Sequence, residues 1–130
     1  MSAHLTWQHG PGGGGIGSFD IPFALEVAGM PVVVATVRTK PGELETALDV
    51  FRSHAPAVHE EDGCLLYAVH AGEDRVVVVE NWADGAALDA HSRGAALAGI
   101  AAGVGGLLAA PMDVAVLDAV PMGDPGKSTL

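Results

Sequence analysis

Hydrophobic and polar positions follow two alternating periods along the chain, and together they predict the order β-α-β-β-α-β. The segment 32–38 is rich in β-branched residues, which is typical of a strand. Apolar residues then recur at helical spacing, which predicts a helix that begins at Pro41 and ends at Asp62-Gly63. Pro56 is expected to kink or interrupt this helix. The apolar stripe of this helix comprises Leu44, Ala47, Leu48, Phe51, Ala55 and Val58.

The second half of the pattern predicts a hairpin, a second helix and a last strand. Strands at 64–71 and 75–82 flank a tight turn at Gly72-Glu73-Asp74. Asp84 is a good N-cap for the next helix, which carries Leu88, His91 and Ala95 on one face. The last strand is predicted at 112–120. We therefore predict an α+β fold of the ferredoxin-like βαββαβ type, with two helices on one face of an antiparallel sheet.

The helix-free face of this sheet needs a second cover. Residues 76–79 are all Val and show no polar alternation, which is typical of a strand covered on both faces. In a chain of 130 residues a second copy is the simplest cover, so the pattern predicts a homodimer. Outside the domain at 31–121, we expect a flexible N-terminal extension over 1–30, with glycines at 12–15, and a C-terminal tail over 122–130.

The net charge and the cysteine content indicate which binding partners and which cellular location to expect. Six Lys and Arg against sixteen Asp and Glu give a net charge of −10, which disfavours nucleic acid and anionic membrane surfaces. The single cysteine, Cys64, and the lack of a visible secretory signal favour a reducing, cytoplasmic location. Residues 95–112 are uncharged but consist mostly of Ala and Gly, so we expect close packing against protein rather than a membrane span.

Polar residues at the end of the third predicted strand are the best candidates for chemistry. Glu80 and Trp82 share one face of the strand and Asn81 lies on the other. Trp82 can be interpreted either as an aromatic residue of the core or as part of the lining of a pocket. Glu80 requires a partner, either in a salt bridge to Arg38, Arg75 or Arg93 or in a catalytic role.

A histidine on the inner stripe of the second helix is the strongest single candidate. An imidazole changes charge near neutral pH, so His91 suits proton transfer, although an interior histidine bonded to a backbone carbonyl fits as well. Tyr67 and His70 on the second strand are candidates for ligand binding. The histidines and Cys64 show no metal-site spacing, so no metal ligand is predicted.

Several of these residues recur together in one known family. The stretch Glu80-Asn81-Trp82 followed by His91, with Pro41-Gly42, the stretch 62–67 and the valine run, resembles the antibiotic biosynthesis monooxygenase family over roughly residues 31–121. The resemblance implies a dimeric α/β barrel. It also implies oxidation of a quinol or anthrone-like aromatic compound with O2, without flavin or metal.

The resemblance also implies roles for particular residues. His91 corresponds to the base, Trp82 shapes the pocket, and Glu80, Asn81 and Tyr67 are hydrogen-bonding candidates, with His70 as a further binding candidate. A haem-degrading branch carries an Asn on its first strand, where this chain has Ala35 and Thr36, which argues against haem oxygenation. A non-oxidative isomerase, or a non-catalytic small-molecule-binding or stress-related dimer of the same fold, remains an alternative.

Overall fold

The computed structural model describes the backbone of residues 2–7 and all atoms of residues 29–130. The strands are β1 (Ser2–Trp7), β2 (Val32–Arg38), β3 (Cys64–Ala71), β4 (Arg75–Trp82) and β5 (Met112–Leu117). They form one antiparallel sheet in the order β1-β5-β2-β4-β3. The helices are α1 (Leu44–His59), α2 (Gly85–Ser92) and α3 (Ala95–Val104), followed by a 3-10 turn at Gly105–Leu107. Without β1, these strands and connections form the predicted ferredoxin-like βαββαβ fold.

The edge strand β1 is an addition to the predicted fold. Ser2 pairs with Leu117 and Trp7 with Met112, so β1 extends the sheet beyond β5. The sequence did not predict this strand, because the glycine-rich stretch after residue 9 led us to interpret the whole N-terminal region as a flexible extension. The predicted flexibility of residues 8–28 concerns positions outside those that the structure describes.

Both ends of α1 are governed by local backbone geometry. The helix begins at Leu44 rather than at Pro41, because Gly42 has a φ of +82° that a right-handed helix cannot include. Pro56 does not interrupt the helix, which continues to His59. Both Pro56 and Arg52, whose carbonyl loses its donor, are exposed, so water can replace the missing hydrogen bond. Gly63, with a φ of +82°, reverses the chain after the helix as predicted.

The predicted second helix is divided in two. Asp84 caps α2 by accepting from the amide N–H of Ala87, as expected. Gly94 is extended, with a φ of −82° and a ψ of 164°, so Ala95 starts α3 and is exposed instead of sharing the inner face of His91. The last strand ends at Leu117 rather than at residue 120, because its pairing to β1 and β2 stops at Leu117.

Small residues allow α3 to lie close against α1. A Cβ added at Gly103 would come within 2.7 Å of a methyl carbon of Val50, and one added at Gly99 would overlap the His54 ring. The Ala- and Gly-rich segment is therefore a packed helix of ten residues. Among the residues that the structure describes, no helix has both the length and the apolar character needed to cross a bilayer.

Candidate functional site

The two faces of β4 separate the candidate site residues into two groups. Val76, Val78, Glu80 and Trp82 alternate on the face covered by helices, and all four are buried. Tyr67 is paired with Glu80 across the β3–β4 ladder and therefore shares this face. His70 pairs with Val77 and Leu66 with Asn81, which places His70 and Asn81 on the helix-free face. Since His91 contacts Trp82 and Tyr67, the structure brings four of the six candidates together.

An aromatic stack fixes the imidazole of His91. Its ring is stacked on that of Trp82, with the ring centroids 4.5 Å apart and an interplanar angle of 29°. It meets the Tyr67 ring in an edge-to-face arrangement, with the centroids 5.9 Å apart and an interplanar angle of 62°. His91 is 4% exposed and Trp82 is fully buried. The inward position predicted for His91 is confirmed, but its partners are side chains rather than the backbone carbonyl that an interior histidine commonly bonds.

Glu80 is a buried carboxyl group whose partners among the described residues are Trp82 and His91. The indole Nε1–H of Trp82 donates to its Oε1 at 2.9 Å, and the His91 Nε2 lies 3.8 Å from the same oxygen. The expected salt bridge to an arginine is wrong for two of the three candidates, because Arg75 bonds Asp74 and Arg93 bonds Asp89. Burial raises the pKa of Glu80, against the opposing effects of His91 and the Trp82 N–H.

A second carboxylate, absent from the sequence-based candidates, completes the network. Oε1 of Glu61 lies 2.7 Å from Nδ1 of His91. Glu61 belongs to an acidic run after α1, where no periodicity indicates which side chain turns inward. Only the tertiary approach of the α1–β3 turn to α2 brings the two residues together.

Tyr67 connects this network to an open depression on the surface. The depression, of about 290 Å³, is lined by His59, Cys64, Leu65, Leu66 and Tyr67. The His59 Nε2 is 2.9 Å from the carbonyl oxygen of Tyr67, which holds this rim of α1 against β3. Burial raises the pKa of the Tyr67 phenol, and the Glu80 and Glu61 carboxylates raise it further. The phenol therefore stays protonated at neutral pH and can donate a hydrogen bond.

Cys64 lines the same depression as a neutral thiol. Burial raises the pKa of this thiol, with a further contribution from Glu61 and Glu80. Because the thiolate is the reactive form, the geometry does not favour a nucleophilic role. Within the part of the chain that the structure describes, no three His, Cys, Asp or Glu side chains are grouped as metal ligands.

The helix-free face presents a different environment. His70 is exposed there, whereas Asn81 is 6% exposed. The Oδ1 of Asn81 is buried and accepts no hydrogen bond from the described residues. These two binding candidates therefore cannot act on the same ligand atoms as His91 within one chain, because the sheet separates them.

The network has the parts of a general base. An imidazole with one nitrogen on a carboxylate and the other directed at a second carboxyl group can accept and release a proton. Aromatic rings around it exclude water, which strengthens electrostatic interactions inside the site. The fold and site together define a ferredoxin-like α+β domain with a buried histidine–carboxylate network.

The chain belongs to the antibiotic biosynthesis monooxygenase family. The profile of the family with that description matches residues 30–102, which is more than half of the chain. The expected resemblance is confirmed. A comparison with curated proteins finds no match.

Solved structures agree with this assignment. A protein from Caulobacter crescentus, provisionally named an antibiotic biosynthesis monooxygenase, is 30% identical with a TM-score of 0.66, over 71% of this chain and 91% of that one. A second structure, named an antibiotic biosynthesis monooxygenase, is 26% identical with a TM-score of 0.65, over 70% of this chain and 99% of the other. Rv0793 from Mycobacterium tuberculosis is 24% identical with a TM-score of 0.65, over 74% and 98%, and supports the fold alone.

Proposed function

We propose that the protein is a cofactor-independent monooxygenase that oxidises a quinol or anthrone-like aromatic compound with O2, and that His91 is the general base. Family membership supports the monooxygenase class. The observation that carries the role of His91 is its position between Glu61 and Glu80, at 2.7 and 3.8 Å, with its ring stacked on Trp82. A solvated surface histidine would have none of these contacts.

The proposed reaction needs no external reductant because the substrate supplies all four electrons. Nε2 of His91 removes a proton, and the resulting carbanion-like anion transfers one electron to O2. The substrate radical and superoxide combine through a new C–O bond, and the peroxide takes the proton back from the imidazolium. Loss of the remaining C–H proton and cleavage of the O–O bond then give a carbonyl group and water. The enzyme supplies the base and a water-poor site that holds the anion.

Substrate access in this proposal involves Tyr67. His91 is buried, whereas Tyr67 both lines the open depression and contacts the His91 ring. We expect a planar aromatic substrate to enter from the depression and displace the Tyr67 ring. The apolar side chains of Leu65 and Leu66 suit such a ligand, and the protonated Tyr67 phenol can donate a hydrogen bond to its oxygen.

The proposal also includes a homodimer formed through the helix-free sheet face. Val34, Val77 and Val79 on this face are only half-buried in the single chain, which leaves apolar surface for a second copy. The buried Oδ1 of Asn81 faces the same way, and an unpaired buried acceptor costs about 1–3 kcal/mol. A donor from the second copy would remove that cost.

The test measures O2 consumption against a panel of quinols and anthrones, with a chelator present. His91→Ala should lower turnover by about 10²–10⁴-fold with the fold intact by circular dichroism, which is the usual contribution of a general base. Arg93→Gln is the matched control, because Arg93 caps the C-terminal end of the same helix, is exposed, and its side chain bonds Asp89. Full activity of His91→Ala would refute the proposed base, and absence of O2 uptake with every compound would refute the proposed reaction.

One observation favours a second candidate, a non-catalytic binding protein. His91, Glu80 and Trp82 are each at most 5% exposed, so the network is closed in this structure. A protein that uses the fold only to bind a small molecule in the depression needs no access to His91. Saturable binding of the same aromatic compounds, unchanged by His91→Ala and without O2 uptake, would support this second candidate.

A further inference from the structure

Glu61 is placed to control the chemistry of His91 from outside the reacting centre. Its Oε1 lies 2.7 Å from Nδ1 of His91, and the two residues are 30 positions apart in the chain. The Glu61 side chain is 24% exposed, against 4% for His91. Glu61 is thus the member of the network that keeps part of its hydration, so its carboxylate charge costs less desolvation than a buried one.

Two contacts with the ends of α2 accompany the position of Glu61. Gly63 lies so near α2 that an added Cβ would be 2.5 Å from the Cβ of Ala87, one helical turn before His91. At the other end of α2, the Glu61 Oε2 is 3.6 Å from the position of a Cβ on Gly94. The α1–β3 turn therefore packs along α2 and ends with the carboxylate at the α2–α3 junction.

This geometry selects one form of the neutral imidazole. A carboxylate only accepts hydrogen bonds, so the proton of the ring belongs on Nδ1 and the lone pair on Nε2. Nε2 is the nitrogen directed at the interior, 3.8 Å from Oε1 of Glu80. When Nε2 gains a proton, the same Glu61 carboxylate faces the imidazolium and stabilises its charge.

We propose that Glu61 is a positioning residue that holds His91 in the Nδ1–H tautomer and keeps Nε2 available as the base. The catalytic consequence rests on the oxygenase function proposed above. The tautomer is a property of the resting protein and can be tested without any substrate.

The first test records long-range ¹H–¹⁵N correlations of the ¹⁵N-histidine-labelled protein near neutral pH, with His91→Gln used to assign the His91 signals. We expect a protonated Nδ1 and an unprotonated Nε2 in the wild type. Glu61→Gln should reduce or reverse this preference, because an amide can also donate to Nδ1. Glu60→Gln is the matched control, since the neighbouring Glu60 is exposed. A protonated Nε2 in the neutral wild-type ring, or an unchanged tautomer in folded Glu61→Gln, would overturn the proposal.

The second test is kinetic and separates this proposal from the oxygenase proposal. With the best substrate of the panel, Glu61→Gln should lower kcat by up to about 10²–10⁴-fold, the usual contribution of a general base, with KM changed much less. Glu60→Gln should match the wild type. If no compound supports O2 uptake, the oxygenase proposal fails while the tautomer measurement still decides the role of Glu61. If the wild type turns over and Glu61→Gln equals it, the positioning role is wrong.

Discussion

The indole N–H of Trp82 donates a hydrogen bond to the carboxyl group of Glu80, two residues earlier on the same strand face, at 2.9 Å. The bond satisfies both side chains in an environment where each is at most 5% exposed. It also explains how the strand tolerates a carboxyl group after four valines without an arginine. The Glu80 carboxyl group is therefore held by a neutral donor and faces the imidazole of His91.

The pH dependence of stability follows from this arrangement. Burial raises the pKa of Glu80 in the folded protein above its ordinary value of 4.5. At pH values between 4.5 and the raised pKa, the folded protein therefore binds more protons than the unfolded one. Stability from the protonated carboxyl is therefore present below about pH 4.5 and is lost as pH rises through the raised pKa. Within this window the free energy of unfolding, measured relative to Glu80→Gln, should fall by up to about 1.4 kcal/mol per pH unit.

Urea denaturation of the wild type and Glu80→Gln at several pH values from 4.5 upward checks this prediction. Gln keeps an acceptor for the Trp82 N–H but cannot titrate. The variant Glu60→Gln, at an exposed position, is the control for the removal of one carboxyl group. A difference between wild type and Glu80→Gln that stays constant, or grows with pH, would contradict a raised pKa.

Two glycines with the same φ allow strain and packing to be measured separately. Gly63 and Gly42 both have a φ of +82°, but only Gly63 has a neighbour, the Cβ of Ala87 at 2.5 Å from an added Cβ. Gly42→Ala should cost about 1–2 kcal/mol for the left-handed backbone alone. Gly63→Ala should cost more, because the turn that carries Glu61 must also move away from α2. Equal losses of unfolding free energy in the two variants would show that the contact with Ala87 contributes nothing.

The fold was predictable because its core strands and α1 obey simple periods. The strands at 32–38, 64–71 and 75–82 occur where β-branched runs and the hairpin turn predict them. The break between α2 and α3 was not predictable in the same way, because a glycine such as Gly94 is tolerated inside a helix and the local pattern does not specify its extended backbone. The strand β1 lacks a distinguishing pattern, since its position depends on the free edge of β5.

The candidate site was predictable where strand alternation determines direction. Glu80, Trp82 and the paired Tyr67 follow from a period of two and from the register of the hairpin. The same alternation separates Asn81 and His70 from His91, a consequence that follows only once the helices are assigned to one face. Glu61 was not predictable, because its contact with His91 depends on how a turn packs against a helix 30 residues away.

The close packing of α3 on α1 predicts that Gly103 and Val50 are coupled in their effects on stability. A Cβ at Gly103 would lie 2.7 Å from Val50, so Gly103→Ala should destabilise the protein by about 1–3 kcal/mol even though Ala favours helix more than Gly does. Removing the obstructing methyl groups with Val50→Ala should relieve this cost. A double-mutant cycle by chemical denaturation should therefore give a favourable coupling of at least about 0.5 kcal/mol. Additive effects would mean that the two residues are not in repulsive contact.

Neighbouring valines on β4 distinguish the proposed dimer surface from the core. Val78 is 1% exposed beneath the helices, whereas Val77 is half-buried on the helix-free face. Val78→Asp should abolish folding, since an unpaired charge in the core costs several kcal/mol. Val77→Asp should leave a folded chain that no longer dimerises, because it introduces a charge only into the proposed interface.

Sedimentation equilibrium at micromolar concentration, combined with circular dichroism, checks the dimer prediction. The wild type should sediment as a dimer and folded Val77→Asp as a monomer. Val77→Thr, which keeps the β-branched shape without a charge, is the control and should remain dimeric or weaken only slightly. A monomeric wild type, or a Val77→Asp variant that dimerises as tightly as the wild type, would show that the helix-free face is not the interface.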